Sequence, residues 1–567
     1  MHPDAPPNPG RAPTPWWARA LTGAPLALGL CLALPALRVA QWSGDTGLYA
    51  AISAKVWRDG CWFPLRGSMD PYFNKPPLAF WLHALSMGLF GDGTLGLYLP
   101  EILSYLATIV LTQYIAFRLV RAADAGRFGG AREGTPHARA VIVGAIAGLL
   151  LASTGQFLSI IDTLKLDYPH NALLFASVAM MCAGWTRTPG SEDPRSAARA
   201  RRLVVLAGVP MGLALLVKPM WGLASYVPVL AWVLLDPPGG LARRRVIRWM
   251  LSSLGLALLV ALPWHLAMAL KTIPVVPGPG APAGFVTEYF GKQSFQRVSR
   301  GLIRQPWWWY LNYLWDTCRP LVLSAAAGLA TSLLYVVWRK RSDGPASAQM
   351  PEGGAGGSRW WRPRGPLLFA MLWCVFWLAV LSCVPDKRRN YSLHVLPMLA
   401  VLVALLATWP LAALAAEGAR SAARVGALRR LGVLGGLCAV AATLAWSLPS
   451  PTRRFGAGAE RNERVYQDKW GPVVEFVKTL DEPLYVGSIY YADAGMLYVK
   501  TGRWALGRGW SNTPLGKGVP DGALVIYDEA RRAPSPQAPV VFRAAPHAGG
   551  KGVVIVRRTP GAPADPE

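Results

Sequence analysis

Paired cysteines and acidic residues are both scarce in this 567-residue chain, and each shortage excludes a class of protein. The seven cysteines stand alone, mostly within apolar runs, without the paired spacing of a disulfide framework or a zinc motif. Only 31 Asp and Glu oppose 58 Lys and Arg, for a formal net charge of +27. In a soluble protein this charge would suggest nucleic acid. Here the arginines fall in short loops between apolar runs, which is the orientation signal of a membrane protein.

Long apolar runs are what the chain has in abundance, since 53% of its residues are hydrophobic. Runs such as Ala20–Ala40, Ala140–Leu158 and Met250–Leu270 approach the length of about 20 residues that crosses a bilayer. The first run lacks a small-residue cleavage site and is too long for a signal peptide, so it indicates a retained span. No repeat or heptad is evident. The sequence predicts a polytopic α-helical membrane protein.

The basic loops alternate with apolar runs and thereby predict a topology of about 11 spans. The expected spans are 21–39, 97–119, 140–158, 171–185, 203–217, 221–235, 250–270, 309–338, 366–383, 391–409 and 431–448. The positive-inside rule places the N-terminus in the cytoplasm and loops 41–96, 271–308 and 384–390 outside. An additional helix, Pro77–Phe90, is expected at the interface. The segment Pro385–Arg389 is basic although it is predicted to lie outside. Its cations are therefore expected to have a function other than setting the topology.

The predicted domains are a disordered tail at 1–15, a transmembrane domain at 16–450 with a catalytic first outer loop at 41–96, and a small periplasmic α/β domain at 451–567. Within the last, Glu475–Leu480 is expected to be helical. Pro483–Ile489, Ala523–Tyr527 and Val553–Arg557 are typical of short strands bounded by Gly and Pro. We find no catalytic motif in this domain.

On this topology, polar residues at the outer ends of the spans converge on one leaflet. They are Asp45, Tyr49, Lys75, Asp162, Lys165, Asp167, His170, Lys218, Arg297, Lys387, Arg388 and Tyr391. Ionisable groups near a bilayer are costly and are functional candidates by default. Cations bind phosphate oxygens and stabilise a departing lipid phosphate, while a carboxylate can orient or deprotonate a nucleophile.

Simpler structural explanations remain for several of these residues. Asp45 could cap the helix that begins near Thr46, and Lys75 could extend to the head groups. Asp162 and Asp167 could solubilise a loop, and the cations at 387–389 could anchor anionic lipid. The outward-side histidines would allow a metal, but no ligand spacing supports one.

The motifs of the first outer loop resemble those of the lipid A aminoarabinose transferases, within the protein mannosyltransferase superfamily of GT-C membrane glycosyltransferases. The run from Tyr72 to Leu78, Tyr-Phe-Asn-Lys-Pro-Pro-Leu, is similar to the family's aromatic-acidic-Lys-Pro-Pro run, with Asn74 replacing the usual Glu. Gly44-Asp45 matches the family's acidic motif, and Thr46 stands where a second acid often follows. The resemblance covers about residues 21 to 415.

The resemblance also implies roles for individual residues. Asp45 and Asp167 correspond to catalytic carboxylates, with Lys165 standing in place of a usual Arg. The implied substrate-binding residues are Tyr49, Lys75, Lys218, Arg297, Lys387, Arg388 and Tyr391. No cofactor is firmly implied, and the family pattern would allow a divalent metal, which the changes at Thr46 and Asn74 bring into question.

Together these features predict a bacterial inner-membrane glycosyltransferase with a polyprenyl phosphate-linked sugar donor. The resemblance implies transfer of an amino sugar to lipid A at the periplasmic face. Two alternatives stay open. One is transfer to a protein or polysaccharide, and the other is a lipid-carrier transporter without catalysis, which would need polar groups continuing to the cytoplasmic side.

Overall fold

The protein is represented by a computed structural model that describes seventeen stretches of the chain. These are residues 16–38, 42, 45–68, 70–127, 135–186, 194–218, 221–236, 242–271, 273, 284–296, 299, 305–342, 365–417, 422–447, 457–507, 519–544 and 551–559. The predicted tail at 1–15 and the predicted phosphate ligand Arg297 therefore lie outside the described residues.

Helices dominate the part of the chain that the structure describes. They are α1 Trp16–Ala33, α2 Asp45–Arg58, α3 Leu78–Phe90, α4 Thr94–Arg127, α5 Thr135–Ser153, α6 Gly155–Leu158, α7 Asp167–Trp185, α8 Pro194–Leu206, α9 Gly208–Leu215, α10 Tyr226–Leu235, α11 Arg243–Leu270, α12 Trp309–Ser342, α13 Pro366–Cys383, α14 Leu396–Glu417, α15 Ala422–Ser447, α16 Ala457–Lys478 and α17 Tyr491–Thr501. Short 3₁₀ helices cover Leu34–Leu37, Trp221–Ser225 and Arg389–His394, and Val286–Gln296 is a π-helix.

Four of the described helical segments are long and apolar enough to cross a membrane. They are Trp16–Leu37, Thr94–Ala123, Arg243–Leu270 and Pro366–Cys383. Shorter apolar helices supplement them, among them Leu78–Phe90, which was predicted at the interface. The expected span at 203–217 is instead divided between α8 and α9. At the start of α9, Gly208 packs directly against the backbone of Ser253 in α11.

The helices pack around a core that contains a cluster of aromatic rings. α4 contacts α5 and α7, and α14 contacts α12, α13 and α15. Tyr105 of α4 stacks on Phe157 with ring centroids 5.0 Å apart, and Tyr168 of α7 meets both rings edge-on. All three side chains are fully buried. This cluster supports the start of α7, where Asp167 lies.

The C-terminal segment forms a four-stranded sheet flanked by α16 and α17. The strands are β1 Leu484–Ser488, β2 Leu524–Asp528, β3 Val540–Arg543 and β4 Val553–Arg557, in the spatial order β1-β2-β4-β3. β1 and β2 are parallel, whereas β4 runs antiparallel to β2 and β3. The three predicted strands are present. β3 and α17 were not predicted, and the helix expected at Glu475–Leu480 begins earlier, at Ala457, and ends at Lys478.

Candidate functional site

Asp45 opens α2 and receives contacts from two separate parts of the chain. The Nζ of Lys165 lies 3.2 Å from its Oδ2, and the hydroxyl of Tyr491 donates a 3.3 Å hydrogen bond to its Oδ1. The Asp45 side chain is 38% exposed, so it remains accessible to a ligand. Asp45 is thus more than a helix-starting residue, because its two oxygens hold specific partners outside α2.

Electrostatics keep the Asp45 carboxyl ionised. Burial by itself would raise the pKa of Asp45, but the positive charges of Lys165 and Lys75 and the hydrogen bonds from Lys165 and Tyr491 hold that pKa below its ordinary value. A carboxylate with a lowered pKa is a weak base, so it is better suited to binding and orienting than to removing a proton.

Asp167 lies fully buried at the start of α7 and binds two partners. Lys218 forms an ion pair with its Oδ1, and the side-chain amide of Asn390 donates a 2.7 Å hydrogen bond to its Oδ2. The Lys218 ammonium also lies 5.6 Å from the centre of the Tyr391 ring. The structure therefore brings together three residues predicted from distant motifs, and it adds Asn390, which the sequence analysis had not singled out.

The segment Lys165–Asp167 brings the two carboxylates, Asp45 and Asp167, into one region. Lys165 contacts Asp45, Asp167 contacts Lys218, and Leu166 between them adopts a left-handed backbone conformation with φ of 61°. Such a φ is uncommon for a non-glycine residue. The Leu166 N–H donates a 3.3 Å hydrogen bond to Oε1 of the fully buried Glu101. The hydrogen bond to Glu101 therefore stabilises the turn from which Lys165 reaches Asp45 and Asp167 reaches Lys218.

Glu101 was missed in the sequence analysis, although a signal for it exists. It is the only acidic residue in the apolar stretch 94–123 that α4 contributes to the membrane region. An isolated carboxyl in such a stretch is a functional candidate. The imidazole of His83, itself fully buried, lies 3.6 Å from Glu101 Oε1 and makes a 2.7 Å hydrogen bond to the carbonyl of Ala79.

The Lys-Pro-Pro loop is packed against the same region. Tyr49, Tyr72 and Phe80 form a buried aromatic cluster, in which the Tyr49 and Phe80 ring centroids are 5.4 Å apart. The N–H of Leu78 donates a 2.9 Å hydrogen bond to the carbonyl of Leu216, two residues before Lys218. This bond ties the segment that carries Lys75 to the turn that carries Lys218.

A largely apolar pocket lies beside Lys218; its cavity volume is about 30 Å³, and the empty space around it, which is partly open to solvent, is about 410 Å³. Its lining residues are Lys218, Trp377, Leu381, Val384, Tyr391 and His394. The pocket thus combines one ammonium with an aromatic and aliphatic wall, a composition suited to a ligand with an anionic head and an apolar chain.

Lys387 and Arg388 make local contacts in the structure. The Lys387 ammonium donates to the carbonyls of Leu381, Ser382 and Val384, at distances of 3.4, 2.8 and 2.7 Å, and thereby caps the C-terminal end of α13. Arg388 Nε lies 3.3 Å from Oδ1 of the buried Asp386, and the Arg388 side chain is 40% exposed. Their predicted role as phosphate ligands remains a prediction, and so does that of Arg297, which lies outside the described residues.

No group of three or more His, Cys, Asp or Glu side chains within the described residues could hold a metal ion. Two histidines near the site, His170 and His394, lie against each other. His394 Nδ1 lies 2.5 Å from Oδ1 of Asn171, and the His394 ring packs edge-on against that of His170, with centroids 5.2 Å apart.

Comparison with known proteins gives matches over most of the chain. A family model described as dolichyl-phosphate-mannose-protein mannosyltransferase matches residues 138–275. The undecaprenyl phosphate-alpha-4-amino-4-deoxy-L-arabinose arabinosyl transferase 1 of Pseudomonas fluorescens (strain Pf0-1) is 26% identical over 331 residues, which are 57% of this chain and 50% of that protein. The corresponding transferase of Pseudomonas aeruginosa (strain UCBPP-PA14) is 25% identical over 384 residues, 67% of this chain and 58% of that one. The chain thus spans about half to three fifths of these curated relatives.

Solved structures share the fold. The structure of ArnT from Cupriavidus metallidurans bound to undecaprenyl phosphate superposes with a TM-score of 0.64 at 18% identity, covering 97% of this chain and 99% of that chain. The Archaeoglobus fulgidus oligosaccharyltransferase matches with a TM-score of 0.50 at 13% identity, over 88% of this chain and 65% of that one.

These similarities establish the class of protein. The chain is a multi-pass membrane protein with the GT-C fold and a small C-terminal α/β segment, as the sequence predicts. Within that class, the resemblance seen in the loop at 41–96 is confirmed, since the chain is similar in sequence to the aminoarabinose transferases and in fold to ArnT.

Proposed function

We propose that this protein is a glycosyltransferase that takes a sugar from a polyprenyl phosphate donor at the periplasmic face of the bacterial inner membrane. The observation that carries the proposal is the pair of carboxylate–lysine contacts, Asp45 with Lys165 and Asp167 with Lys218, beside an apolar pocket. The names of its relatives agree with this reaction.

The donor would be held by its charge and by its chain. The Lys218 ammonium at the pocket and the nearby Lys75 would bind the phosphate, while the Trp377–Val384 wall would take the first isoprenoid units. As the sugar–phosphate bond breaks, negative charge grows on the leaving phosphate, and cations fixed in place stabilise that charge without rearrangement. Attack from the opposite face would invert the anomeric carbon. Arg297, Arg388 and Tyr391 complete the proposed phosphate site.

For the acceptor, we propose a phosphate of lipid A, and for the sugar an amino sugar. A phosphate oxygen is already ionised at neutral pH and needs no strong base, which suits the low pKa of Asp45. In this scheme Asp45 binds the sugar or orients the acceptor, and Asp167 holds Lys218 in place. The match to a protein mannosyltransferase model supports a second candidate acceptor, a hydroxyl of a protein or polysaccharide.

The proposed topology follows the charge pattern. The N-terminus would lie in the cytoplasm, the domain at 16–450 would carry the spans and the catalytic loop, and the domain at 451–567 would lie in the periplasm. On this arrangement Asp45, Lys75 and the pocket all open toward the outer leaflet.

The test is transfer by the purified protein in lipid nanodiscs, with undecaprenyl phosphate-linked 4-amino-4-deoxy-L-arabinose as donor and lipid A as acceptor. We expect a lipid A product heavier by one aminopentose. Lys75→Met should abolish product formation. Arg243→Gln, a change at the N-terminal end of α11, should not. Sugar transferred only to a hydroxyl acceptor would reject the lipid A assignment, and absence of any transfer from this donor or from a mannosyl phosphate donor would reject the glycosyltransferase.

A further inference from the structure

The C-terminal domain contacts the first outer loop through a close crossing of two helices. α17 of the C-terminal domain lies directly on α2. A Cβ added to Gly47 of α2 would collide with the carbonyl oxygen of Ala492, and one added to Gly495 of α17 would collide with the carbonyl oxygen of Gly47. The two backbones therefore touch at a point where only glycine fits on either helix.

Polar contacts hold the two helices at both ends of this crossing. At one end the Tyr491 hydroxyl donates to Asp45 Oδ1 at 3.3 Å. At the other end the Tyr498 hydroxyl donates to Asp59 Oδ1 at 2.8 Å, and the Arg58 guanidinium donates to the carbonyls of Tyr498 and Val499 at 3.1 and 2.8 Å. Rotation or sliding of α17 on α2 would break contacts at both ends.

The two oxygens of Asp45 are thus held from opposite sides. Lys165 of the transmembrane domain approaches Oδ2, and Tyr491 of the C-terminal domain approaches Oδ1. The Tyr491 hydrogen bond favours the ionised carboxylate and fixes its rotamer. Next to it, the Tyr490 ring lies 4.3 Å from the Tyr491 ring and beneath the Arg531 guanidinium, at 4.7 Å, so Tyr491 is itself packed in place.

We propose that the C-terminal domain contributes to the Asp45 site. Its Tyr491 is a positioning residue for the Asp45 carboxylate. The Gly47–Gly495 crossing sets the distance at which Tyr491 can reach Asp45. The inference rests on the proposed function, because Asp45 is taken there as a reacting-site carboxylate.

The first test compares Tyr491→Phe with Tyr498→Phe, which removes the equivalent hydroxyl from the same helix at the end remote from Asp45. Tyr491→Phe should lower kcat about tenfold, the size expected for one hydrogen bond to a charged group. It should also move the acid limb of the kcat/KM profile to higher pH, because losing this bond raises the pKa of a carboxylate that must be ionised. Tyr498→Phe should leave the limb in place.

The second test does not depend on activity. Gly495→Leu should separate α17 from α2 and increase hydrogen–deuterium exchange of backbone amides at 45–58, measured by mass spectrometry. The control Gly471→Leu, at an open position on α16, should not increase this exchange.

If the wild-type protein transfers no sugar, the proposed function is rejected but the inference about Tyr491 is not. An active wild type, with a Tyr491→Phe variant that keeps its rate and its acid limb, would overturn the inference. Unchanged hydrogen–deuterium exchange in Gly495→Leu would overturn the proposed contact of α17 with α2.

Discussion

Asp167 and Lys218 form a buried ion pair whose structural and chemical roles can be separated. Removing one charge from a buried pair leaves the other without a partner and costs about 3–5 kcal/mol, whereas replacing both by uncharged groups of similar size costs much less. We therefore expect Asp167→Asn to lower the melting temperature in detergent. The Asp167→Asn, Lys218→Met double variant should recover most of that loss but should remain inactive, because the donor phosphate has lost its ammonium. Activity of the double variant comparable to wild type would exclude Lys218 from donor binding.

Two lysines predicted to bind phosphate have different surroundings, and this difference is testable. Lys75 influences Asp45 at the open site, while the three donors of Lys387 all point at carbonyls that end α13. Lys75→Met should raise the donor KM or abolish turnover with an unchanged melting temperature. Lys387→Met should lower the melting temperature, because its three hydrogen bonds to carbonyls at the end of α13 are lost, and should leave the donor KM within about threefold. A large rise in donor KM without loss of stability in Lys387→Met would instead support its predicted role as a phosphate ligand.

At the scale of elements, the turn from α6 to α7 depends on one acceptor oxygen. Glu101 receives the Leu166 N–H, and that bond stabilises a φ of 61° that leucine rarely adopts. Glu101→Gln keeps an acceptor oxygen at this place and should retain activity. Glu101→Met fills a similar volume without an acceptor and should reduce transfer by about tenfold or more, because Lys165 and Asp167 lose their fixed directions. Equal rates for the two variants, measured in the nanodisc assay, would show that the turn does not need Glu101.

The sequence predicted elements well where local pattern decides them and poorly where tertiary contact does. α13 has the predicted bounds because apolar residues run from Pro366 to Cys383 without a break. α17 was missed because its sequence carries Asp493 and Gly495, which disfavour a helix, and its stability comes from packing on α2. Strand β3 is a mostly exposed edge strand of four residues, and its apolar run is shorter than the buried run Val553–Val556 of its partner β4.

The site shows the same division. Asp45, Lys75, Asp167, Lys218 and Tyr391 were found because ionisable and aromatic residues at span ends are conspicuous in an apolar sequence. Their partners Glu101, Asn390 and Tyr491 were missed. Each of the three lies between 65 and 446 positions in sequence from its hydrogen-bond partner in the site. No local sequence pattern predicts contacts between residues so far apart.

At the scale of the whole molecule, one orientation must satisfy both the charge pattern and the helix contacts. Because α17 touches Asp45, the C-terminal domain and the first outer loop must lie on the same side of the membrane. The positive-inside rule places that side opposite the arginine-rich start of α8. The sidedness of two exposed positions, Ser535 in the C-terminal domain and Arg201 in α8, therefore decides the topology.

We expect opposite labelling of these positions in a variant whose seven cysteines are replaced. In intact spheroplasts a membrane-impermeant maleimide should label Ser535→Cys at once, and it should label Arg201→Cys only after permeabilisation. Detergent-solubilised protein, in which both positions should react, is the control for accessibility. If Ser535→Cys were protected in intact spheroplasts, Asp45 would face the cytoplasm with it. A donor presented in the outer leaflet could then not reach the pocket beside Lys218, and the proposed reaction would have to be assigned to the inner leaflet.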